Sequence, residues 1–267
     1  MTELIQLDIL DGVADVRLNR PEKYNALNPE MFEAILDVGK ALSKMSDLRV
    51  VVLSGNGKGF CSGLDMASFQ GMLNNTGLGS QASLDSLDDG PENFVQRPAY
   101  LWREIPVPVL AAVHGVAYGG GCQIALGADI RFAAEDAKIS ILEVKWGLIP
   151  DMSITQSLRD IVSQDVAKEL TFTGRVLSGL QAKDLGLVTH VSKDPLADAM
   201  ALAREIAEKS PSAVRGAKKL YRDSWHADAQ TGLALEASIQ KALIGTENQI
   251  EAITANFENR DPTFKDM

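Results

Sequence analysis

Apolar and polar positions change their period several times along this chain. Ile5, Leu7 and Ile9 alternate with polar residues, the two-residue repeat of a half-buried strand. Asp11-Gly12 is a hairpin turn, and Val13 to Leu18 predicts the returning strand. Arg20 to Leu27 reads as a loop. Asn28-Pro29 then supplies an N-cap and a first-turn proline, and Met31, Ile35, Val38, Leu42 and Met45 follow at helical spacing. Arg49 to Leu53 predicts a short buried strand, and Ser54 to Gly59 a glycine-rich turn. Phe60-Cys61-Ser62-Gly63-Leu64-Asp65 leads into a second helical stretch. From Gly71 to Pro98 the periodicity fades into Gly, Asn, Ser and Asp, which predicts a mobile loop or ragged helix.

The apolar run Val107 to Val113 reads as a strand, and Gly119-Gly120-Gly121-Cys122-Gln123 precedes the helix-like Ile124-Ala125-Leu126. Strands follow near Asp129–Ala133 and Lys138–Ile141. Beyond them Ser178-Gly179-Leu180-Gln181 has the form of a capping box, and Gly186 ends that helix. Leu196 to Lys209 is amphipathic, Pro211 opens another helix, and two more run from about Thr231 to Phe257. Strands alternating with helices predict an α/β core of β-β-α units over residues 1–195, with a helical region over 196–267.

The bulk composition narrows the class. With 267 residues, 45% hydrophobic and 23% charged, the chain has the make-up of a globular enzyme. A net charge of −10 argues against nucleic-acid or anionic-membrane partners. No apolar run reaches the ~18 residues of a membrane span. The acidic start Met1-Thr2-Glu3-Leu4 has no basic-then-apolar leader, so Cys61 and Cys122 are expected as reduced thiols in the cytoplasm. The Asn74-Asn75-Thr76 acceptor tripeptide has no meaning there.

Chemistry concentrates at the glycines. Glycine at a helix start leaves main-chain N–H groups bare, and a substrate oxygen can approach them closely. The Gly120 and Leu64 amides both lie in strand-to-helix turns flanked by glycine, so they form a candidate oxyanion hole. Either cluster alone reads equally as a tight turn. Glu143 sits in an unusually apolar segment ending at Pro150, where a carboxyl has a raised pKa and suits proton transfer. Gln123 can orient a group by hydrogen bonding but cannot exchange protons. Asp151 reads as either an acid of the site or the N-cap of a helix through Leu158. His114 reads as a core histidine, and no metal spacing, Ser-His-Asp order or phosphate loop stands out.

These motifs resemble the crotonase superfamily, the enoyl-CoA hydratases and isomerases, along essentially the whole length. The resemblance rests on Arg20 to Leu27, Phe60 to Asp65, Gly119 to Cys122, Glu143 to Pro150 and the terminal Phe264-Lys265-Asp266. It implies a spiral of β-β-α units, a C-terminal helical trimerisation region, and trimers or hexamers. It implies an acyl-CoA thioester bound between the Leu64 and Gly120 amides, with Asn25, Ala26, Ser62 and Asp65 along the coenzyme A path. Coenzyme A is then part of the substrate, and no metal or redox cofactor is expected. Hydratases of the family carry a glutamate where Gln123 stands and a second at the Glu143 position. Asp151 coincides with an acid of the dienoyl-CoA isomerase branch and with the nucleophile of the chlorobenzoyl-CoA dehalogenase branch. That dehalogenase branch lacks a glutamate at the Glu143 position. The expected reaction is therefore a double-bond shift. Glu143 removes a proton, Glu143 or Asp151 returns one, and Gln123 orients water or substrate. The alternatives are hydration by Glu143 alone and a non-catalytic acyl-CoA-binding protein.

Overall fold

The computed structural model describes residues 4–85 and 90–267. In chain order the elements begin with β1 (Ile5–Leu10), β2 (Val13–Leu18), α1 (Pro29–Leu42), β3 (Val50–Gly55), α2 (Met66–Leu73) and α3 (Arg97–Glu104). Next come β4 (Val109–Val113), β5 (Val116–Tyr118), α4 (Gly120–Leu126), β6 (Ile130–Ala134) and β7 (Lys138–Ser140). The remainder is α5 (Ile154–Leu158), α6 (Gln164–Thr173), α7 (Gly179–Asp184), β8 (His190–Ser192), α8 (Pro195–Ala207), α9 (Pro211–Ser224), α10 (Ala229–Leu243) and α11 (Glu247–Glu258).

Two layers of strands make the spiral. The larger sheet has the order β1-β2-β3-β4-β6-β8, with β1 antiparallel to β2 and the later neighbours parallel. The smaller sheet pairs β5 with β7, and single bridges extend it from Leu27 to Leu64, from Cys61 to Ala117 and from Ile139 to Leu177. Each turn of the chain thus lays a strand in the first layer and an extended stretch in the second. Helices α1, α2 and α4 close the first three turns. This is the β-β-α repeat that the alternation of patterns predicts. Strands buried on both faces are apolar throughout, as in Val50-Val51-Val52-Leu53.

Helix α1 forms as its sequence dictates. The Asn28 side chain accepts a hydrogen bond from the Met31 amide at 3.0 Å, an N-cap worth about 1 kcal/mol. Met31, Phe32, Ile35, Val38 and Leu42 are buried on one face. Helix α8 packs its small face on the core: Ala199 and Ala203 meet Val13, Val50, Val52, Leu110 and Phe132, covering the second face of the sheet. Helix α9 is held by polar contacts. Arg215 donates to the carbonyls of Met45, Ser46 and Leu48, and Lys218 to those of Trp102 and Val107 and to Asp129.

The segment expected as loop or ragged helix has order where it is described. Helix α2 runs into it, short 3₁₀ turns follow at Gly77–Gly79 and Gln81–Leu84, and α3 closes it. Leu78 and Phe94 pack on the core, and the Phe94 ring stacks on Phe32 at 5.9 Å. Residues 86–89 of that stretch lie outside the described residues. Among the described residues no helix is long and apolar enough to cross a membrane.

Candidate active site

The second strand layer positions the site. Leu64 follows the Cys61–Ala117 bridge and itself pairs with Leu27, Gly120 follows β5, and Glu143 begins a 3₁₀ turn just after β7. Three successive rungs thus deliver their next residues to one end of the ladder. The Leu27 amide bonds the Gly63 carbonyl and the Asp65 amide bonds the Leu27 carbonyl, which leaves the Leu64 N–H facing away without a protein acceptor. Gly120 is the first residue of α4, so its N–H has no partner within the helix. The two amides lie close together. A Cβ on Gly63 would stand 3.6 Å from the Gly120 nitrogen and 2.6 Å from the Tyr118 carbonyl oxygen, and Gly63 has φ +85°. Only glycine fits that approach.

Both amides open into one cavity of about 870 Å³, which Glu143, Asp151, Ala26, Ser62 and Asp65 also line. Glu143 is half-buried. Its Oε1 accepts a 2.7 Å hydrogen bond from Gln123 Nε2, while Oε2 is buried with no partner. Burial pushes its carboxyl above the ordinary range and the charge of Asp151 adds to this. Bonds from its own backbone and from Gln123 oppose the shift. Burial also raises the Asp151 carboxyl. Asp151 does not cap a helix: α5 starts at Ile154 with Ser153 at the N-cap position, and the Asp151 side chain faces the cavity instead.

Gln123 does not line the cavity. It is buried, with Nε2 on Glu143 and Oε1 accepting from the Met152 amide at 2.8 Å. Its Nε2 thus holds Oε1 of Glu143 in place. Asn25 also stays out of the cavity. Fully buried, it accepts from the Arg20 amide at 2.8 Å and donates toward the carbonyls of Asn56, Gly59 and Phe60 at 2.9–3.1 Å. It ties the Arg20–Leu27 loop to the following turn, and its own φ of +56° is one that asparagine tolerates. Asp65 caps α2 through the Ala67 amide at 2.9 Å and forms an ion pair with Arg20. These two contacts hold its carboxyl below the usual range, the Ala67 bond first.

The outer wall is aromatic. Phe69 of α2 stacks on Trp146 of the Glu143 turn at 4.4 Å, bridging the two elements across the cavity. Sequence reading missed this pair, although Trp146 belongs to the apolar run after Glu143. It also missed Arg20 and the Met152 amide, whose roles depend on contacts between distant segments.

An oxyanion-type amide pair beside a carboxyl of raised pKa is a site for enolate chemistry at a carbonyl. The chain belongs to the enoyl-CoA hydratase/isomerase family, whose model matches residues 8–267. It is 34% identical over 269 residues to the peroxisomal Delta(3,5)-Delta(2,4)-dienoyl-CoA isomerase of Arabidopsis thaliana, covering 98% of this chain and 96% of that one. It is 33% identical over 264 residues to the mitochondrial methylglutaconyl-CoA hydratase of Mus musculus, covering 95% and 80%. The crystal structure of an enoyl-CoA hydratase from Bacillus anthracis superposes with a TM-score of 0.89 at 30% identity, covering 98% of this chain and 99% of that one. The crotonase fold and an acyl-CoA enzyme activity follow. The relatives include both isomerases and hydratases.

Proposed function

We propose that this protein shifts a double bond in an enoyl- or dienoyl-CoA. The thioester oxygen accepts hydrogen bonds from Leu64 and Gly120, each worth about 2.7–4 kcal/mol to the enolate. Glu143 takes a proton from C2, and the negative charge spreads onto the held oxygen. Glu143 or Asp151 then returns a proton to C4 of an enoyl chain, or to C6 of a dienoyl chain, which completes the shift without net gain or loss of atoms. The proton transfers use side chains and amides alone, with coenzyme A entering as part of the substrate.

The observation that carries this reading is the state of the three polar side chains. Gln123 is occupied with Glu143 and Met152, so Glu143 lacks the second acid that a two-acid hydratase has at position 123. Asp151 supplies a second exchangeable proton from the cavity wall. Hydration by Glu143 alone is the second reading, because a carboxyl on the cavity wall is also able to activate a water. Turnover of a 3-enoyl-CoA compared with crotonyl-CoA separates them. The expected result is faster isomerisation than hydration, lost by about 10²–10⁴ in Glu143→Ala. Fast crotonyl-CoA hydration that Gln123→Glu does not improve would overturn the isomerase assignment. Turnover unchanged in Glu143→Ala would leave a non-catalytic acyl-CoA binder.

The same reading has the chain working as a trimer, or a hexamer of two trimers. What supports it is the apolar surface left on the C-terminal helices, where Tyr221, Trp225, Leu233, Ile253 and Phe257 are exposed. A cytoplasmic location is supported by two free, buried cysteines, with burial pushing the Cys61 thiol up to about 12.

A further inference from the structure

The cavity takes in Ala26, Ser62 and Asp65 of the expected coenzyme A path and also continues along an apolar wall. Its 870 Å³ lies high in the range of small-molecule pockets. Phe32, Phe69, Met72, Leu78, Leu84 and Val95 line it, drawn from α1, α2 and the segment that follows α2. Several of these side chains are flexible, so the wall adapts to an extended chain.

Charge on the lining is one-sided. Among the described lining residues the charged ones are Lys23, Asp65, Glu143 and Asp151. Lys23 is exposed on the loop beside Ser62, and Asp65 is already paired with Arg20. The wall formed by Leu78, Leu84 and Val95 has uncharged polar neighbours. Asn93 and Gln96 there exchange side-chain oxygen bonds with each other's backbone amides at 2.9 Å. A carboxylate on the acyl group would enter a space that already holds Glu143 and Asp151, and among the described lining residues the only cation is Lys23, exposed on a separate loop. An unpaired charge in such surroundings is strongly disfavoured.

Resting on the acyl-CoA reading above, we propose that the cavity selects an uncharged, extended acyl chain of about eight carbons or more. It rejects acyl groups that end in a second carboxylate. This sets the chain apart from a methylglutaconyl-CoA hydratase, whose named substrate carries such a group, despite the 33% identity.

The test uses saturated acyl-CoAs, which bind without reacting. Calorimetry compares butyryl-, octanoyl- and octanedioyl-CoA on the purified enzyme. Each fully buried methylene is worth up to about fourfold in affinity. The expected result is an octanoyl-CoA Kd at least ~10-fold below that of butyryl-CoA, with octanedioyl-CoA no tighter than butyryl-CoA. The Leu84→Arg variant, at a half-exposed wall position, is expected to improve octanedioyl-CoA binding relative to octanoyl-CoA. Equal affinity along the neutral series, or octanedioyl-CoA binding as well as octanoyl-CoA, overturns the proposal. Turnover of 3-octenoyl-CoA is scored separately. Its absence alongside the expected affinities overturns the isomerase reaction and leaves the acyl selectivity standing.

Discussion

Replacing Gln123 by Met removes the brace on Glu143 and keeps the side-chain volume. The lost contact is a 2.7 Å bond to a carboxylate oxygen, a class of bond worth about 1.5–3 kcal/mol. If that energy holds Glu143 in its reactive position, kcat falls by about 10- to 150-fold. Gln123 does not touch the cavity, so KM for acyl-CoA is expected to change little. The pH profile gives the sharper signature. The Gln123 bond lowers the Glu143 pKa against the larger upward push of burial, so its loss raises that pKa further. Glu143 acts as a base only when ionised, and the ascending limb of kcat against pH therefore moves to higher pH. The variant also strands the buried Met152 N–H, at a cost of about 1–3 kcal/mol in stability. Thermal unfolding monitors that loss apart from activity. A pH profile that stays in place while KM rises would refute the brace and leave Gln123 a packing residue.

Four further outcomes follow from the same geometry. Gln123→Glu places two carboxyls in direct contact, so they share a proton, the ascending limb rises, and crotonyl-CoA hydration increases over wild type. In Gly63→Ala the new Cβ meets the Tyr118 carbonyl oxygen at 2.6 Å from a backbone at φ +85°, displacing the adjoining Leu64 and Gly120 amides and lowering kcat by about 10²–10³ in steady-state assays. Asn25→Ala orphans a buried amide and several carbonyls, which lowers stability by about 2–4 kcal/mol in denaturant titration while kcat per folded molecule is kept. Glu143→Gln raises Tm at neutral pH. A carboxyl with raised folded pKa favours the fold below its unfolded pKa and loses that contribution as pH climbs through the folded value, so the advantage of the neutral amide disappears near pH 4.

Local signals carried much of the fold. The Asn28 cap and the apolar stripe behind it define α1 to within a turn, and the Ser178–Gln181 capping box is present with both of its bonds. The ordered pieces between α2 and α3 were not legible, because Phe94 and Leu78 find their partners on α1 and the core, far away in sequence. Helix α8 reads as an ordinary amphipathic helix, and nothing local tells that its small face of Ala199 and Ala203 covers a sheet. The site follows the same division. Leu64, Gly120 and Glu143 sit at turns that their neighbours in the chain announce. The sequence places Asn25 and Gln123 in segments that border the substrate, yet a side chain's direction depends on what it bonds. Asn25 bonds the nearby Arg20 amide and carbonyls more than 30 residues away, and the partners of Gln123 are 20 and 29 residues away.

Infrared difference spectroscopy of octanoyl-CoA labelled with carbon-13 at the thioester carbonyl tests the two-amide claim most directly. Hydrogen bonds from Leu64 and Gly120 polarise that carbonyl, so its stretch is expected to move to lower wavenumber on binding, and Gly63→Ala, which pushes the two turns apart, is expected to reverse most of the shift. A bound carbonyl that absorbs at its position in water, in wild type and variant alike, would contradict the account.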